Sequence, residues 1–202
     1  MNQSSFRSAF FVLLLLIFHA AAGAAQESSG GQADGSSDSN ANVVLGGVTG
    51  SPGEQVMVPI YLRPPEAVAV GSLKLDITFV SVNLKFEKIE PGIAAEMGNV
   101  DVKSELKTGK NDKDVETSTL AVTATAPAAG SDKKGIPAGL LAYITLRISD
   151  KGRPATIGLQ TKLEATEFGT NQKLVAMRAS DASVLVVAPG TEPAVSCFFF
   201  TH

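Results

Sequence analysis

Between Ser72 and Phe79 the chain alternates strictly, with Leu73, Leu75, Ile77 and Phe79 on one side and Ser72, Lys74, Asp76 and Thr78 on the other. Successive side chains of an extended strand point to opposite faces, so this pattern requires a sheet with one buried face and one wet face. A helix would scatter the same residues around its axis and bury lysine and aspartate with them. The neighbouring segments must therefore supply a second apolar layer.

They do so in short pieces. Val56–Leu62 is rich in β-formers after the turn Gly50-Ser51-Pro52-Gly53, and Pro59, which has no N–H, places this strand at an edge or a bulge. Leu84, Phe86 and Ile89 form the next strand before Pro91-Gly92, and Ile93–Met97 reads as one helical turn. Val100 and Val102 alternate with Asp101 and Lys103, and Lys107–Thr117 reads as a polar turn. Leu120, Val122 and Ala124 alternate with threonines, and Leu140–Ile148 is a long apolar strand. Ile157, Leu159 and Leu163, then Leu174–Met177, then Ser183–Val187 complete the set. About nine short strands with almost no helix predict an all-β, antiparallel jelly-roll β-sandwich. No fixed internal period marks a repeat array.

The segments outside this pattern have compositions of their own. Residues 1–25 join a basic start at Arg7, the apolar run Phe10–Phe18 and an Ala-rich exit, the three parts of a signal peptide. The run is short for a span of roughly 20 residues, and an uncleaved anchor is the alternative. The expectation is a secreted, periplasmic or cell-surface protein with no transmembrane span after signal cleavage. Residues 26–41 carry no large apolar side chain and read as a Ser/Gly-rich linker, leaving 42–187 as the folded part. Residues 188–202 read as a flexible tail, where Cys197 stands beside Phe198, Phe199 and Phe200.

Composition excludes several functions. The net charge is −3 with both signs interspersed, so no basic stripe points to nucleic acid. The single cysteine excludes an intramolecular disulfide. Both histidines, His19 and His202, lie outside 42–187, which removes the usual general base and metal ligand from the core region. Carboxylates such as Asp76, Glu87, Glu90 and Glu96 have no pattern that places a pair across a cleft. No enzyme is expected.

Four stretches together resemble the cohesin module, a sandwich in the superfamily of family-2 and family-3 carbohydrate-binding modules. Gly50–Ile60 is similar to its opening turn and first long strand, and Leu73–Gly92 to its third strand and Pro-Gly exit. Gly139–Leu146 is similar to its Gly-x-Leu-Ala strand, and Ala179–Val186 to its closing strand. Phe79-Val80-Ser81 stands where the family pattern has Tyr-Asp-Pro, a change of turn chemistry. The resemblance implies a non-catalytic binding module that takes a dockerin-like protein through one sheet face. Alternation places Ser72, Lys74, Asp76, Asp101, Lys103, Thr123, Thr125, Gln160 and Lys162 on that face. Ser72 and Lys74 stand where well-known dockerin binders carry Asn and Asp, which implies a different specificity.

Two further readings stay open beside this one, a carbohydrate-binding module and a structural envelope protein. Tyr61, Phe79, Phe86, Tyr143 and Phe168 are the aromatic residues of 42–187, there is no Trp, and most sit in strand runs as core candidates. That leaves no planar row for stacking on sugar rings. No cofactor is expected. Asn111, Asp112, Asp114 and Glu116 offer oxygen ligands for calcium, with Lys110 and Lys113 interrupting their charge.

Overall fold

The computed structural model describes residues 41–127 and 135–190. The signal segment, the linker before Ala41 and the tail with Cys197 lie outside the described residues, as does the loop 128–134.

The described chain runs through β1 (Val43–Leu45), β2 (Val48–Gly50), β3 (Gln55–Leu62), β4 (Val70–Val80) and β5 (Leu84–Pro91) to the helix α1 (Ile93–Gly98). It continues through β6 (Asp101–Lys110), β7 (Glu116–Thr125), β8 (Gly139–Ile148), β9 (Ala155–Glu167), β10 (Ala179–Ser180) and β11 (Ala182–Val186). One sheet has the order β10-β1-β3-β8-β5, and the other β2-β11-β9-β4-β7-β6. The inward positions form one core: Val56, Val58, Ile60 and Leu62 on β3, Leu73, Leu75, Ile77 and Phe79 on β4, with Leu120, Val122, Ile144, Leu146, Ile157 and Leu159. This is a β-sandwich, with the β4 alternation buried as its pattern requires.

The strand set differs from expectation in three ways. First, β1, β2 and β10 are two or three residues long, too short to carry a periodic signal. Secondly, β1 pairs with β10, and β2 with β11, in parallel, so the sheets are mixed rather than purely antiparallel. Apolar alternation reports which face is buried and nothing about strand direction. Thirdly, Leu174–Met177 is a turn, closed by the Met177 N–H donating to Leu174 O at 3.2 Å. Met177 is buried and Leu174 packs against the core while Val175 stands in solvent, so the apolar composition there anchors a turn and not a strand.

The polar stretch Lys107–Thr117 is also mostly strand. β6 and β7 stay paired from Asp101↔Thr125 to Lys110↔Glu116, leaving a turn only at 111–115. From Glu105 onward every residue of β6 is exposed, so neither of its faces needs apolar residues there.

Pro59 lies on β3, between β1 and β8, beside Gly46-Gly47, where the chain passes from β1 in one sheet to β2 in the other. β1 ends opposite Ile60, and the Pro59 carbonyl accepts the Gly46 N–H at 2.9 Å. N–H and C=O of one strand residue point the same way, so the missing proline donor falls where β1 has already ended. A bulge follows at Ile60/Tyr61. Gly46 is required here, because a Cβ would sit 2.6 Å from the Pro59 ring. The helix α1 ends at Asn99, whose left-handed backbone (φ 47°) suits asparagine at a helix C-terminus. No helix among the described residues is long and apolar enough to cross a membrane.

Candidate functional site

The register of the six-stranded sheet brings all the sequence-selected positions onto one outer face. β4 is the axis, with β7 and then β6 on one side and β9 on the other. Reading across β6, β7, β4 and β9, the first rung is Asp101, Thr125, Ser72 and Thr166. The second is Lys103, Thr123, Lys74 and Glu164. The third is Glu105, Ala121, Asp76 and Lys162, and the fourth is Lys107, Thr119, Thr78 and Gln160. The other side chains of β4 are buried, which fixes this set outward.

The face has a definite charge pattern. The β7 column, from Thr117 through Ala121 to Thr125, carries no charge. Lys74 pairs with Asp76 at 3.4 Å along β4, Lys103 pairs with Asp101, and Lys107 pairs with Glu105 at 3.4 Å. Such exposed pairs contribute little to stability, about 0–1 kcal/mol each, but they hold the long side chains along their strands. Ser72 and Thr166 share a hydroxyl hydrogen bond of 2.8 Å, and Thr78 and Thr119 one of 3.1 Å.

Two shallow depressions meet at Ser72. One, of about 220 Å³, lies among Ser72, Lys74, Thr123, Glu164, Thr166 and Lys173. The other, of about 460 Å³, lies between Ser72, Thr125, Phe168 and Asn171. The loop after β9 builds their shared wall: Glu167 N–H bonds Gln172 O at 2.8 Å, and Phe168 N–H bonds Ala69 O at 2.8 Å. A surface with shallow relief, small hydroxyls and rim charges suits another protein surface better than a small molecule, which needs deeper enclosure.

Sequence reasoning missed Glu105, Lys107 and Glu164 on this face. Glu164 was within reach, since it continues the Gln160, Lys162 alternation. Glu105 and Lys107 had no such signal, because the inward side of β6 there is exposed as well.

The calcium candidates are not brought together. Asn111 Oδ1 accepts the N–H groups of Lys113 and Val115, both at 3.0 Å, and closes the β6–β7 turn. Asp114 pairs with Lys110 at 2.8 Å. Among the described residues no cluster of His, Cys, Asp or Glu could hold a metal ion, and Asp112, Asp114 and Glu116 form none.

The opposite sheet carries its own outer face. Arg147 Nε donates to Glu87 Oε1 at 2.6 Å and its Nη1 to Gly53 O at 3.0 Å, while Gln55 donates to Glu87 Oε2. Glu90 pairs with Lys88 at 2.9 Å. Tyr61 is 41% exposed on β3, so it is not the core residue its strand run suggested. Tyr143 is half-buried on β8 opposite Pro59.

Comparison with known proteins places these features in context. A family model described as Cohesin domain matches residues 41–186. Among solved structures, the third cohesin of ScaC from Acetivibrio cellulolyticus, in complex with the ScaB dockerin, matches at 18% identity and TM-score 0.55. The match covers 72% of this chain and 98% of that one. The OlpA cohesin of Clostridium thermocellum, also in complex with a dockerin, matches at 15% identity and TM-score 0.53, with 72% and 98% covered. The seventh ScaB type I cohesin of Pseudobacteroides cellulosolvens matches at 18% and 0.53, with 78% and 97% covered. At these identities the likeness is one of fold. No curated protein matches the chain.

Proposed function

The chain belongs to the cohesin family, whose members are non-catalytic protein–protein interaction modules, and from that premise we propose that it captures a dockerin-like protein on the outer face of the six-stranded sheet. One observation carries the reading: Ser72, Lys74, Asp76, Asp101, Lys103, Thr123, Thr125, Gln160 and Lys162 share contiguous rungs of a single wet face. Two of the structural relatives were solved with dockerins bound, which supports a partner of that class. The uncharged β7 column would form the centre of the contact, with the β6 and β9 charges at its rim, the usual arrangement of a protein interface. Residues 1–25 support action outside the cytoplasm, as a secreted or cell-surface module.

The test is calorimetric titration of the chain with a panel of dockerins. Binding at micromolar concentration that falls at least tenfold in Thr123→Arg supports the reading. Absence of binding across the panel, or binding that Thr123→Arg leaves intact, overturns it.

A second reading, direct sugar contact, draws on Tyr61 and Tyr143, which face outward on the opposite sheet. Glycan-array binding lost in Tyr61→Ala and kept in Thr123→Arg would support it.

A further inference from the structure

The charges on the six-stranded face pair within the chain, and their signs also reverse from one rung to the next. In the second rung β6 and β4 carry lysines and β9 a glutamate, as Lys103, Lys74 and Glu164. In the third rung every sign is reversed, as Glu105, Asp76 and Lys162. The β7 column between them is neutral.

We infer that this face docks a second copy of the chain about a two-fold axis that runs parallel to the strands between β4 and β7. Such an axis keeps each rung level and lays β9 over the second copy's β6, and β4 over its β7. Glu164 then opposes the second copy's Lys103, and Lys162 opposes its Glu105. Symmetry repeats both pairs, giving four contacts between unlike charges. In the inner columns Ser72 opposes Thr125, Lys74 opposes Thr123, Asp76 opposes Ala121 and Thr78 opposes Thr119. At the ends Thr166 opposes Asp101 and Gln160 opposes Lys107. Within these rungs no like charges oppose each other, although the four strands carry four basic and four acidic side chains; Lys173, 3.8 Å from Glu164 in its own chain, shares that carboxylate with the second copy's Lys103.

The size of the patch sets the strength. Four strands about 4.8 Å apart and four rungs about 6.8 Å apart give about 500 Å² per copy. The total is close to the lower bound of about 1,000 Å² for specific interfaces, so the dimer is weak and reversible, with a Kd of about 10–1,000 μM. The small hydroxyl and methyl groups of the β7 column allow close approach at the centre. On the reading that the same face takes a foreign protein, and resting on that reading, the second copy competes with the partner and keeps the face covered when the protein is concentrated.

Lys103 and Glu164 lie three strands apart, about 14 Å, so neither can repair the loss of the other within one chain. Sedimentation velocity on the full chain, without any partner, is run from about 10 μM to about 1 mM, a range set by that weak-interface estimate. We expect reversible dimerisation that weakens with added salt. K103E and E164K each turn two attractions into repulsions and weaken the dimer about tenfold or more. The double reversal K103E/E164K restores it, because the two exchanged charges again meet as opposites across the axis. K85E changes net charge as K103E does but lies on β5 of the opposite sheet, and it leaves the dimer within about threefold. Circular dichroism confirms that each variant is folded.

An axis across the strands would also bring unlike charges together, but it sets Lys103 against Glu105. There K103E/E105K would rescue and K103E/E164K would not, and that result overturns the proposal. A chain that stays monomeric to about 1 mM, or a double reversal that fails to rescue, overturns it as well. Failure here leaves the dockerin titration untouched, since no partner is present.

Discussion

Ser72 Oγ lies 2.8 Å from Thr166 Oγ1 across the β4–β9 ladder, at the point where the two depressions of the outer face meet. The pair is small and half-buried, so it costs little to replace and much to obstruct. Ser72→Arg is expected to keep the melting behaviour of the parent within about 1 kcal/mol, while partner binding falls at least tenfold. Calorimetric titration beside urea unfolding checks both halves.

Leu75 sits fully buried at the middle of β4 and belongs to the single core of the sandwich. Leu75→Ala is expected to cost about 2–5 kcal/mol, the lost transfer free energy plus the cavity left behind. Urea unfolding should show a lower midpoint with an unchanged slope.

Gly46 and Pro59 meet where the chain passes between sheets, and a Cβ on residue 46 would come 2.6 Å from the proline ring. Gly46→Ala is expected to cost about 1–3 kcal/mol through that clash. In Gly46→Ala/Pro59→Ala the ring is gone, so the two losses should sum to more than the double variant shows. A thermal-unfolding double-mutant cycle reads the coupling directly.

Thr145 is buried on β8, and its Oγ1 has no hydrogen-bond partner among the described residues. Thr145→Val has the same shape, removes the unpaired hydroxyl and favours a strand. It is expected to be neutral or stabilising by about 1 kcal/mol, the reverse of most core changes, measured by the urea midpoint.

Asn111 closes the β6–β7 turn with two backbone N–H bonds on one oxygen. Asn111→Ala is expected to lose about 1 kcal/mol. Because that oxygen is already engaged, millimolar calcium should leave the melting temperature of the parent within about 1 °C, as a chelator comparison will show.

The face was legible in the sequence wherever one side of a strand is buried. The β4 alternation located Ser72, Lys74 and Asp76, and the same logic on β6, β7 and β9 found their neighbours before any register was known. It failed where burial does not impose a pattern. The outer half of β6 is wet on both sides, so Glu105 carried no signal and Lys107 passed for a turn. Leu174–Met177 buries Met177 and half-buries Leu174 around a turn, and its four apolar residues imitated a strand. Tyr61 sits in a strand run yet points outward, since that outer sheet face tolerates a half-exposed ring. Which rung faces which depends on pairings between residues up to 94 positions apart, as at Ser72 and Thr166, and no local pattern encodes those.

The parallel pairings β1–β10 and β2–β11 have a consequence in time as well as in space. Asn42 accepts the Arg178 N–H across 136 positions, and both N-terminal strands take a partner from the last strands of the sandwich, β1 lying between β10 and β3. Loop closure over such spans is slow, so this sandwich should fold on the slow side of domains its size. During synthesis Val43–Gly50 leaves the ribosome first and waits for Ala179–Val186 before either sheet is complete. For that interval β1 and β2 lack the strands that pair with them in parallel, and the early chain is the form most exposed to mispairing with its neighbours.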